Sequence, residues 1–223
     1  STTTITATAA GERAITFDAV AANNTDTVAV INGGSVTIKG VDYGIITADL
    51  APNSGNVEPS NTNINVTGST SLLSIEASIT AVYSTDITGS DINITVTNGT
   101  ATFKSTGFSP TIRVGRRPVI INDGGTLTAT GTNQAAIYAD AYGFTLQTKN
   151  SGTTTIETTG TALYALYLSE GDATGININT LYDDLIETTS GGVLNIKSNG
   201  SYGALYAIDT SGFKFNATGT GTK

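Results

Sequence analysis

A glycine-rich turn followed by an alternating strand that closes on another glycine recurs along the chain. This repetition narrows the possible folds more than any other feature. The motif reads GGSVTIKG at 33–40, GGTLTATG at 124–131, GTTTIETTG at 152–160 and GGVLNIKSNG at 191–200. Weaker copies are NINVTG at 63–68 and ATFKSTG at 101–107. The closing glycines fall at 40, 68, 107, 131, 160 and 200, roughly 24 to 40 residues apart. A fixed repeat of this size marks a solenoid, a propeller or an array.

A second strand follows each closing glycine. It carries an aliphatic residue five or six positions on, at Ile45, Leu73, Ile112, Ile137, Leu166 and Leu205, followed by Ile46, Ser74, Arg113, Tyr138, Tyr167 and Tyr206. A third element is Asp-x-x-Gly before alternating apolar residues, at Asp86–Gly89, Asp140–Gly143, Asp172–Gly175 and Asp209–Gly212. Three short strands per unit, with insertions at the turns, predict an all-β chain folded as a right-handed parallel β-helix of about six three-strand rungs. A β-sandwich also has many short strands, but nothing in it requires the same three-strand order to recur. Neighbouring strand residues face opposite ways. The inward set is therefore Val36 and Ile38, Leu127 and Ala129, Leu194 and Ile196, and Phe213 and Phe215, with Thr, Asn and Lys between them facing out.

Composition agrees and excludes much. The 223 residues include 42 Thr and 26 Gly, which favour strands and turns over helices. The chain has no Cys, Met, Trp or His. Zinc, haem and iron–sulfur ligation of the usual kinds and Ser-His or Cys-His catalysis are thereby removed, and no cofactor is expected. A net charge of −8 argues against nucleic-acid partners, which require a basic footprint. No apolar run is long enough to span a membrane. Low charge with abundant Thr, Asn and Gly suits an extracellular or cell-surface protein. A start at Ser1 without an initiator Met fits either export through a removed signal peptide or a fragment.

The stretch GGTLTATGTNQAAIYA at 124–139 and its echo GGVLNIKSNGSYGALYA at 191–207 resemble the right-handed β-helix passenger domains of bacterial autotransporter adhesins. They are also similar to β-helical surface and polysaccharide-binding proteins of anaerobic bacteria. The resemblance covers roughly residues 30–219 and implies a fold and a compartment. It implies adhesion, self-association or glycan binding as the range of functions, and transfers no functional residue.

Candidate binding residues come from the outward positions. If Ile137, Leu166 and Leu205 face the core, Tyr138, Tyr167 and Tyr206 face out and align on successive rungs, with Tyr142, Tyr164, Tyr182 and Tyr202 nearby. Such a row either binds sugar rings or a flat partner surface, or stabilises the sheet through cross-strand pairs. Arg113, Arg116 and Arg117 form the densest basic group. They either bind an anionic glycan or acidic partner, or neutralise nearby carboxylates such as Asp91 and Asp123. The Asp-x-x-Gly sites have type I turn composition and lack the nonapeptide repeat of calcium-binding β-rolls. The densest acidic group, Asp183, Asp184 and Glu187, falls in a rung insertion at 179–190 and is poorly arranged for a lyase or glycosidase. Asn-x-Ser/Thr acceptor sequences occur at Asn23, Asn65, Asn93, Asn98, Asn199 and Asn216.

A single β-solenoid domain is expected over 1–223. Residues 1–30 would be an N-terminal strand, cap or inter-subunit segment, and 31–219 the repeated rungs. The expected role is non-catalytic: a structural or adhesive element that self-associates into oligomers or filaments. Glycan binding through the Tyr row is the alternative, and a polysaccharide lyase the third reading.

Overall fold

Period-two alternation buries one side of every strand, and a single rung cannot cover its own inward face, so rungs must stack. The computed structural model describes residues 1–18, 25–48, 60–84, 90–115, 117–140, 143–161, 164–169, 184–201, 203–208, 213–220 and 222. Among these residues there are twenty-one strands and no helix.

In chain order, the first rung is β1 (Thr2–Thr6), β2 (Arg13–Asp18) and β3 (Thr25–Ile31), and the second β4 (Ser35–Gly40), β5 (Tyr43–Ala48) and β6 (Ser60–Thr67). The third is β7 (Leu72–Ala77), β8 (Thr80–Ser84) and β9 (Ser90–Thr97), and the fourth β10 (Thr100–Ser105), β11 (Ile112–Val114) and β12 (Val119–Asp123). The fifth is β13 (Thr126–Gly131), β14 (Ile137–Asp140) and β15 (Thr145–Lys149), and the sixth β16 (Thr153–Thr158), β17 (Leu166–Ser169) and β18 (Asp184–Thr189). The seventh is β19 (Val193–Ser198), β20 (Leu205–Ile208) and β21 (Phe213–Thr218).

Every third strand pairs in parallel, giving three seven-stranded sheets: A from β1 to β19, B from β2 to β20 and C from β3 to β21. This is a right-handed parallel β-helix, with the handedness that parallel crossovers almost always take. At about 4.8 Å per rung the stack is about 30 Å long.

Stacking turns each rung position into a column. The inward column of sheet A runs Ile38, Ile75, Phe103, Ala129, Ile156 and Ile196. That of sheet C runs Val28, Ile64, Ile94, Ile120, Leu146, Ile186 and Phe215. Large and small side chains alternate where needed: Phe103, fully buried, has Ala129 as its neighbour in the next rung. Ile38, Leu127 and Ala129 are fully buried as expected, while Val36, Leu194 and Ile196 are partly buried against the core. Phe215 holds its inward register but is 53% exposed, and Phe213 38%, because among the described residues no further rung lies over them.

Polar groups inside the coil are bonded, as burial demands. Asn122 donates to the Thr153 carbonyl (2.8 Å) and the Thr154 hydroxyl (3.0 Å), and accepts from the Gly125 amide (3.1 Å). The Thr148 hydroxyl donates to that of Thr154 (2.8 Å), and Thr47 and Thr62 share a hydroxyl bond of 2.9 Å.

Four sequence expectations are corrected. There are seven rungs where about six were expected, because β1, β2 and β3 pair with β4, β5 and β6 as a first rung. The stretch 63–68 lies in β6 of sheet C, so Gly68, at φ 107°, opens a sheet A strand instead of closing one. Consequently Leu73 and Ser74 belong to sheet A, and the second strand of the third rung carries Val82 and Tyr83 in their place. The third strand of the sixth rung is β18, inside the stretch read as an insertion. The expected strand after Asp172 lies outside the described residues, as do all or part of the four Asp-x-x-Gly turns.

Candidate functional site: a stacked tyrosine–arginine column

On β14, Ile137 and Ala139 are buried, so Tyr138 between them faces away from the core. The same parity holds along sheet B, and the strand register aligns Thr16, Ile46, Tyr83, Arg113, Tyr138, Tyr167 and Tyr206 in one outer column. Zero register offset fixes each side chain one rung from the next, close to the separation at which aromatic rings stack.

The rings take that opportunity. Tyr138 and Tyr167 stack with centroids 4.7 Å apart and planes within 2° of parallel. Tyr167 and Tyr206 follow at 5.2 Å, and Tyr164 adds a ring 4.5 Å from Tyr206 and 5.9 Å from Tyr167. At the other end Tyr43 stacks on Tyr83 at 5.3 Å. Its ring thereby serves the second rung, where the residue in register is the buried Ile46. Arg113 fills the gap between the two groups, its guanidinium carbon 5.6 Å from the ring centres of both Tyr83 and Tyr138. A guanidinium is planar and weakly hydrated, so it can replace a ring in a stack where a lysine could not. The result is a continuous row of flat groups across six rungs.

Burial holds the Tyr138 phenol above its ordinary value, the Asp140 carboxylate and the Tyr167 ring push the same way, and Arg113 opposes them.

Sequence reasoning brings Tyr138, Tyr167 and Tyr206 together, and they do stack. Tyr43 and Tyr83 escaped it. The signal for Tyr83 was its place after Val82, hidden by the misplacement of the third rung. Tyr142, Tyr182, Tyr202 and Arg116 lie outside the described residues. Arg113 and Arg117 do not act as one patch. Arg113 is held in the sheet B stack, while Arg117 pairs at 3.4 Å with Asp91 of sheet C. Asp123 is engaged by Lys149 (3.5 Å) and Asn150 (2.7 Å). In the acidic group, Asp184 is buried and accepts the Phe144 amide at 2.7 Å, and Glu187 accepts from Gln147 at 2.9 Å. Among the described residues, no three acidic side chains converge as a metal site.

This geometry limits the chemistry of the column. A sugar ring packs on the open face of an aromatic ring, but here most ring faces are covered by the next member of the row. Ring edges and the edge of the exposed Arg113 guanidinium are what the row turns outward.

Fold and column together define a parallel β-solenoid with an aromatic–guanidinium spine on one face. No protein-family model matches the chain, and neither a curated protein nor a solved structure does.

Proposed function

We propose that the chain is a non-catalytic structural or adhesive β-solenoid working outside the cell, of the kind found in bacterial surface adhesins, with self-association as its mode of action. The observation that carries this reading is the sheet B column. Its aromatic and cationic groups are spent on one another along the stack, so the most chemically distinctive residues of the chain build the rod. Asp91, Asp123, Asp184 and Glu187 are likewise engaged in local bonds, and the sequence contains neither His nor Cys. At the seventh rung Phe213 and Phe215 offer apolar surface that a further rung of the chain or a second copy would cover alike.

Electron microscopy and sedimentation over a range of concentrations test this reading. Rods or longer assemblies are expected, and strictly monomeric particles at high concentration would overturn self-association.

A second reading rests on Arg113. It is exposed and has no carboxylate partner among the described residues, so its guanidinium edge suits an anionic glycan. A glycan array with wild type and Arg113→Ala examines it. Binding by neither protein rules it out, and loss confined to the variant supports it.

A further inference from the structure

The outer face of sheet A carries a second ordered array, built from threonine. Register places Thr100, Thr126 and Thr153 in one column and Thr102, Thr128 and Thr155 in the next, with no offset between rungs. The second column continues as Ser74, Thr37 and Thr4 on one side and Asn195 on the other, so every rung presents a small polar side chain there. Neither column contains a charged residue in any of the seven rungs. Charge on this face is confined to the neighbouring column, where Lys104 pairs with Glu76 at 3.9 Å.

The hydroxyls of the two arrays of threonines differ. Inward-facing Thr62, Thr111, Thr148 and Thr154 all bond within the protein. The six outward hydroxyls of the fourth, fifth and sixth rungs have no partner among the described residues. Thr155, Thr128 and their neighbours are therefore left to solvent, on side chains that β-branching keeps stiff at χ1. Hydroxyl and methyl groups repeat at about 4.8 Å along the stack and about 6.7 Å along each strand, twice the rise per residue.

We infer that this face binds ice. A soluble ligand needs a concavity with converging polar groups, and a flat lattice offers none. Crystalline water is a partner that itself repeats in two dimensions. The oxygen repeats on the prism face of ice are slightly shorter than the array in one direction and slightly longer in the other. Water held by the free hydroxyls and packed around the methyl groups is thus ordered on a grid that ice can continue. Leu72 interrupts the first column at the third rung, so the strongest patch is the six-threonine block. The inference is independent of the assembly proposed above, because a monomer presents the same face as a filament.

Ice-crystal shaping, thermal hysteresis and inhibition of ice recrystallisation test it on the full chain. Wild type is expected to show activity in these assays. Thr128→Tyr, in the centre of the block, and Thr102→Lys should lose it, while Thr95→Tyr on the outer face of sheet C should retain it. Circular dichroism checks that each variant is folded, and tyrosine is well accepted on strands. Inert wild type overturns the inference. So does equal loss in Thr95→Tyr, or full activity in both sheet A variants.

Discussion

Truncating Tyr138 to alanine tests whether the sheet B column is a spine. In wild type this ring contributes one near-parallel stack, 4.7 Å from Tyr167, and one cation–π contact, 5.6 Å from Arg113. The stack is worth about 0.5–1.5 kcal/mol beyond area burial, and the cation–π contact, with Arg113 exposed, about 0.5–1 kcal/mol. Tyr138→Ala should therefore cost at least about 1–2.5 kcal/mol, with the lost burial of the ring adding to it. Tyr138→Phe keeps both ring faces and should stay within about 0.5 kcal/mol of wild type. Urea unfolding followed by circular dichroism, at matched protein concentration so that assembly does not contribute, supplies the values. A double-mutant cycle with Tyr167→Ala isolates the stack and should return a coupling of about 0.5–1.5 kcal/mol. Strict additivity of the two truncations refutes the reasoning, because rings that do not support one another form no spine.

Phe103→Ala leaves a cavity beside Ile75 and Ala129 and should cost about 3–5 kcal/mol, whereas Phe215→Ala at the exposed end should cost about 1 kcal/mol or less; the same unfolding experiment compares them. Asn122→Ala strips the Gly125 amide and Thr153 carbonyl of their side-chain partner and should cost about 1–3 kcal/mol, again read from the unfolding midpoint. The raised Tyr138 phenol means the fold favours its protonated form, so this contribution is intact below the unfolded value, about 10, and lost as pH rises through the higher folded value. Stability measured across the alkaline range should fall there, and less steeply in Tyr138→Phe.

The repeat and the inward parity were legible because burial imposes them on the chain directly. Ile38, Leu127, Ile137 and Leu166 could be assigned to the core from alternation alone, and each is fully buried. Phasing was harder, because alternation is identical on all three sheets and only the corners tell them apart. Two kinds of glycine serve those corners. At Gly40, between sheets A and B, a side chain would run into the Tyr43 carbonyl. At Gly68, between sheets C and A, the backbone takes the left-handed region that glycine tolerates. Both read as one letter, so the third rung slipped by one strand and hid Tyr83. The first rung was missed because Thr2–Thr6 was read as a lone strand, without the turn that marks the repeat elsewhere.

A parallel stack also constrains what its surface can carry. Each outer residue sits about 4.8 Å from the same position in the next rung, so a repeated charge would face itself all along the rod. The chain has a net charge of −8, yet no register pair among the described strands sets two like charges side by side. Where charges are neighbours they are opposite: Lys39 beside Glu76, Glu76 beside Lys104, Asp123 beside Lys149 and Glu157 beside Lys197. Arg113 meets the same constraint differently, with tyrosine rings above and below. Uncharged positions escape it, and those are where like side chains stand side by side: threonine on sheet A, tyrosine on sheet B to one side of Arg113, and on sheet C the amide pair Asn63 and Asn93 at 3.1 Å. The chemistry of each face therefore belongs to a column rather than to a residue, which is why a search for local motifs along the chain finds turns and little else.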